Sequence, residues 1–86
     1  MPKYARLSPL SGRKLITLLQ KDGWVFKRRA RHGVALAKQF SARTRVTVIP
    51  DTSTILDDGT LGAILGPKQT NIGKAGLIDL VNKYGV

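Results

Sequence analysis

Between Trp24 and Ile49 three strand-like runs follow one another with almost nothing between them: 24-WVFKRR-29, 33-GVALAKQF-40 and 43-RTRVTVI-49. Their connections centre on Ala30-Arg31 and Ser41-Ala42. A crossover between parallel strands needs a dozen or more residues, so this spacing dictates an antiparallel meander. Period-two alternation places Trp24 and Phe26 on one face of the first strand, with Val25, Lys27 and Arg29 on the other. In the third strand Arg43, Arg45 and Thr47 alternate with Thr44, Val46 and Val48, and the β-branched content suits a strand. The expectation is a sheet with one apolar face and one face carrying Lys and Arg in rows.

The flanking segments supply the second layer. In 11-SGRKLITLLQKDG-23, Ser11 is a good N-cap, its hydroxyl placed to accept from a first-turn amide. Leu10 and Leu15 have hydrophobic-staple spacing. Leu15, Leu18 and Leu19 make an i, i+3, i+4 stripe, and Gly23 fits the left-handed stop. Pro50 ends the third strand, and 51-DTSTILDD-58 is a polar loop. The run 59-GTLGAIL-65 reads as a short helix, with Asp57 or Asp58 near its positive end. After the turn-rich 66-GPKQTNIG-73, 74-KAGLIDLVNKYG-85 reads as a last helix with Leu77, Leu80, Val81 and Tyr84 on one face. The order is α-β-β-β-α-α, an α+β sandwich of two layers with helices on one face of a three-stranded antiparallel sheet. At 86 residues a single domain spanning 1–86 is expected, with residues 1–10 as an N-terminal arm and 66–86 as a C-terminal loop and helix.

Charge narrows the function. Fifteen Lys and Arg face five acidic residues, a net charge of +10, which favours polyanionic partners, nucleic acid foremost. An anionic membrane surface fits less well, since no helix has a long basic amphipathic face. No run approaches the roughly 18 apolar residues of a membrane span. An acidic protein partner is compatible with either. There is no cysteine, one histidine and no glutamate, so a protein-only metal site is not expected and no cofactor is implied. The absence of cysteine fits a reducing cytoplasm. Trp24 and Phe26 read as core rather than as base-stacking platforms. The tail helices hold too few cations, Lys74 and Lys83 beside Asp79, to read as a helix-turn-helix, so a DNA-binding module built on them is the weakest alternative.

The stretch 27-KRRARHG-33 sets the only histidine, His32, among cations. A neutral imidazole there can act as a general base. RNA carries its own nucleophile, the 2′-OH, so one proton acceptor and several cations to hold and neutralise the phosphate form a minimal metal-free cleavage set. DNA could not react this way. Lys27, Arg28, Arg29, Arg31, Arg43 and Arg45, and with a weaker claim Lys38, are the expected phosphate contacts. A water, a lysine, Tyr4 or Tyr84 would have to protonate the leaving group. The plainer alternative is a solvated basic surface with an incidental histidine.

Four features in order resemble the HicA-like mRNA interferases, toxin halves of type II toxin–antitoxin pairs. They are 11-SGRKLITLLQKDGW-24 as the first helix and entry to the first strand, the histidine at the second strand, 45-RVTVIP-50 as the third strand with its closing proline, and 59-GTLGAIL-65 as the Gly-Thr-Leu helix start. The resemblance spans Ser11 to Leu65. It implies a double-stranded-RNA-binding-domain-like fold, ribosome-independent mRNA cleavage with one essential histidine, and inhibition by a cognate HicB-like antitoxin. The family's Gly-Ser-His motif aligns with Ala30, Arg31 and His32, so only the histidine carries over. Asp51 and Thr52 follow Pro50 where the family often has a second histidine. The rival expectation is a non-catalytic module of the same fold that binds double-stranded RNA.

Overall fold

The computed structural model describes residues 10–85 of the chain. Most of the N-terminal arm and Tyr4 therefore lie outside the described residues. The elements run α1 (Gly12–Lys21), β1 (Val25–Ala30), β2 (Gly33–Gln39), β3 (Thr44–Ile49), α2 (Asp58–Leu65) and α3 (Gly73–Tyr84). This is the expected α-β-β-β-α-α order.

Helix α1 forms for the local reasons visible in its sequence. The Ser11 hydroxyl accepts from the Lys14 amide at 3.2 Å, filling one of the donors a helix start leaves open. Leu15, Leu18 and Leu19 are buried on one face, and Gly23 takes the left-handed conformation, φ 99°, just past the end. Ser11→Ala is expected to cost about 1 kcal/mol of stability, read from urea denaturation. The same logic starts α2, where the Asp57 carboxylate accepts from the Thr60 amide at 2.6 Å. That bond holds the Asp57 carboxyl below the usual carboxylate range.

The sheet is an antiparallel meander in the order β1-β2-β3. Val34 and Leu36 of β2 and Ile49 of β3 join Leu15, Leu19 and Trp24 in one core with the leucines of α2 and α3. All three helices thus cover the same face. The pairing places Leu36 opposite Thr47, and Val34 opposite Ile49.

The register corrects the expected faces. Thr47 is 1% exposed and Arg45 half-buried on the helix side, while Val46 and Val48 are exposed on the open side. The open face is therefore lined by Val25, Ala37 and Val46 in one row and Arg28, Ala35 and Val48 in the next, not by rows of cations. Four hydrogen bonds, made through the side chains of Gln69 and Arg45, explain the inversion. The segment after α2 lies along the outer edge of β3, where the Gln69 side-chain oxygen accepts from the Thr47 hydroxyl at 2.6 Å and the Val48 amide at 3.2 Å. Arg45 donates to the carbonyls of Pro67 and Gln69 at 2.9 and 3.3 Å. Polar side chains on the inward parity are tolerated because a loop satisfies them, and the edge is covered at the same time.

In β1 the register shifts between Phe26, opposite Leu36, and Arg28, opposite Ala35. Lys27 is the extra residue of a β-bulge. The bulge reverses the alternation after it, so Arg28 reaches the open face and Arg29, opposite Val34, takes the helix side. Arg29 was expected to share a face with Val25 and Lys27. Phe26 also departs from expectation. It has the core parity but is 49% exposed, because β1 is an edge strand that the helices do not reach across. Trp24 is core as expected, meeting Phe40 edge-on at 6.2 Å between ring centres.

Candidate functional site

The β1–β2 hairpin closes with Ala30 opposite Gly33, leaving Arg31 and His32 as the two turn residues, both exposed. His32 thus sits at the tip of the hairpin rather than in β2. Among the described residues its imidazole has no hydrogen-bond partner, so it is free to meet a ligand.

The floor beside the turn is set by two close backbone approaches. A Cβ on Gly33 would lie 2.1 Å from the Ile49 carbonyl oxygen, and one on Gly12 would lie 1.7 Å from that of Pro50. The chain leaving β3 is therefore clamped between the hairpin turn and the first turn of α1. The Arg13 amide donates to the Thr52 carbonyl at 3.0 Å, which holds the clamp from the helix side. Asp51 is carried into the gap between α1 and β1. One of its oxygens meets the Arg13 Nε at 3.2 Å and the other an Arg29 terminal nitrogen at 3.0 Å. The hydrogen bond from Arg29, backed by the one from Arg13, keeps the Asp51 carboxyl below its ordinary value. Arg29, Arg31, His32, Gly33, Asp51 and Thr52 line a shallow depression of about 360 Å³.

The expected site residues divide by position. Arg29, Arg31 and His32 share the depression. Lys27 stands at the bulge and Arg28 on the open face, one step back along β1. The other three lie elsewhere. The Lys38 ammonium donates to the Asp22 carbonyl at 2.8 Å and meets its carboxylate at 3.3 Å, closing the C-terminal end of α1. Arg43 is exposed in the β2–β3 connection. With seven residues in β2, that connection lies about 20 Å from the His32 turn at strand rise. Arg45 holds the 67–69 segment. Arg45→Ala is expected to cost about 1–2 kcal/mol, the worth of a charged donor on backbone carbonyls. Arg31→Ala should stay within about 0.5 kcal/mol, so urea denaturation separates a fold-holding arginine from an exposed one. Tyr84 packs against the core from α3.

No protein-family model, curated protein or solved structure matches the chain.

One member was missed by sequence reasoning. Arg13 stands 38 positions from Asp51, and only the fold joins them. A signal was present nonetheless. The first turn of α1 has no acidic residue but holds Arg13 and Lys14, which puts cations at the positive end of the helix dipole. That arrangement is unfavourable unless an anion sits nearby.

Chemically, the depression offers an exposed imidazole together with the guanidinium groups of Arg29 and Arg31, and the Asp51 carboxylate that links Arg29 to Arg13 outside it. No helix of the described residues is long and apolar enough to cross a membrane.

Proposed function

We propose that the protein is a metal-independent endoribonuclease of the HicA-like kind, the toxin of a type II toxin–antitoxin pair, acting on mRNA in the cytoplasm. The observation that carries this reading is the placement of the only histidine at an exposed hairpin tip, in one depression with Arg29 and Arg31.

The reading assigns roles as follows. The His32 imidazole takes the 2′-OH proton of a bound ribose. The freed 2′-oxygen attacks the adjacent phosphorus while the bond to the 5′-oxygen breaks, leaving a 2′,3′-cyclic phosphate. The 5′-oxygen departs with a proton from solvent water, to which the depression is open. Arg29 and Arg31 hold the phosphate and offset the charge that builds on it. Lys27 and Arg28 guide the strand towards the turn along β1, while Lys38, Arg43 and Arg45 lie too far off to touch the reacting phosphate. A HicB-like antitoxin with an acidic surface would silence the protein by covering the turn.

The test is direct. A mixed-sequence RNA and a DNA of the same sequence, both end-labelled, are incubated with the protein in EDTA. Cleavage of RNA alone supports the reading. Cleavage of both, or cleavage only after metal is added, sinks it. The second reading, a non-catalytic module for double-stranded RNA, draws support from the absence of any described residue that orients the His32 imidazole. It predicts intact RNA and binding with a steep salt dependence.

A further inference from the structure

Arg13, Asp51 and Arg29 form one surface ion-pair cluster. One carboxylate spends each of its two oxygens on a different guanidinium, and the two arginines come from separate elements, α1 and β1. Both arginine side chains are largely open, 65% and 72% exposed, while Asp51 is 26% exposed between them. An anion with two oxygens is what this fork is built to hold. Guanidinium groups bind phosphate oxygens in the same geometry as carboxylate oxygens.

We propose that Arg13 and Arg29 form a binding site for one RNA backbone phosphate next to His32, and that the Asp51 carboxylate occupies this site in the free protein as a built-in competitor. This rests on the RNA reading above and deepens it. It adds Arg13 to the binding surface and makes Asp51 a brake on it.

Three features make the exchange feasible. Exposed ion pairs are worth little in water, so displacing the carboxylate costs little. The backbone of Asp51 is fixed by the close approaches at Gly12 and Gly33, so release needs only rotation of a short side chain while the site keeps its shape. Lastly, Arg13 at the positive end of α1 is stabilised only while some anion is present. An incoming phosphate meets that need as well as Asp51 does, so the arginines are not left uncompensated during the exchange.

The depression beside the fork tells where such a phosphate would lead. Arg29 belongs both to the fork and to the lining of the His32 depression. A phosphate seated between Arg13 and Arg29 therefore places the neighbouring nucleotide at the hairpin tip. The fork is a positioning site for the strand, distinct from the phosphate that reacts.

The test measures binding of a fluorescent 20-nucleotide 2′-O-methyl RNA, which keeps the phosphates but lacks the free nucleophile. Wild type is compared with Asp51→Asn and with Asp79→Asn, a charge-matched control at an exposed position on α3. Asp51→Asn is expected to tighten binding about fivefold, because the incoming phosphate no longer has to displace a carboxylate. Asp79→Asn should change affinity by no more than about twofold. The gain from Asp51→Asn should shrink to the control's value when Arg13→Gln and Arg29→Gln are already present, since the effect passes through those two side chains. Equal behaviour of the two aspartate variants overturns the proposal, as does a gain that survives loss of both arginines. Cleavage of ordinary RNA by wild type is scored separately. The nuclease reading can therefore fail while the fork stands, or hold while the fork falls.

Discussion

His32→Ala is expected to slow cleavage of the mixed-sequence RNA by about a hundredfold to ten-thousandfold, the range a positioned general base contributes. RNA affinity is expected to stay within about twofold, because the imidazole is one side chain among several cations that keep their positions. Stability should not move either. The side chain is exposed at the hairpin tip, and exposed positions of this sort change stability by about 0.5 kcal/mol or less. Three readouts on one variant therefore separate roles. Loss of cleavage alone makes His32 a catalytic residue. Loss of binding along with cleavage makes it a phosphate contact. No loss of either makes it incidental, and the activity, if present, belongs to other groups.

Gly12→Ala is expected to destabilise the protein by about 3 kcal/mol, the upper end of ordinary overpacking. Helix propensity alone predicts the opposite sign, since Ala is favoured over Gly in a helix by up to about 1 kcal/mol. The difference is the Pro50 carbonyl oxygen, 1.7 Å from where the new methyl carbon would sit. That obstacle is backbone, not a flexible side-chain end, so either α1 or the chain leaving β3 must shift. Gly62→Ala is the matched control. It also lies in a helix, and nothing stands within 4 Å of its added Cβ. It should stabilise by up to about 1 kcal/mol. Urea denaturation of the pair tests the clamp: opposite signs support it, and equal small gains refute it. For a domain whose total stability is on the order of 5–10 kcal/mol, the Gly12 variant would also carry a visible unfolded fraction in mild denaturant.

How much was legible beforehand follows the range of the interaction concerned. Helix α1 was readable in full because its determinants are local: a cap three residues from its donor, a staple, a stripe and a left-handed glycine. The meander was readable because two connections are too short for anything else. The faces of the sheet were not. In β3 both parities carry β-branched residues, and the rule that apolar side chains turn inward chose Val46 and Val48. Ile49 lies on the other parity and is fully buried, and it takes Thr47 and Arg45 inward with it. Those two are acceptable there only because Pro67 and Gln69, more than twenty residues away, supply acceptors. In β1 nothing in the residue types announces a bulge at Lys27. The candidate site divides the same way. Arg29, Arg31 and His32 adjoin in sequence and remain together in space. Lys38, Arg43 and Arg45 adjoin the sheet in sequence but lie towards its far end or bind within the fold. The Arg13–Asp51 pair required the folded backbone.

The bulge in β1 leaves this strand room for a one-residue change in length. Removing Lys27 would bring Phe26 and Arg28 into register as consecutive rungs, still opposite Leu36 and Ala35, and no other pairing in the described sheet would change. Position 27 is thus a place where the gene can lose or regain one codon without disturbing the arginines on either side. Deleting Lys27 would remove one positive charge from the β1 edge while the core and the hairpin tip stay as they were.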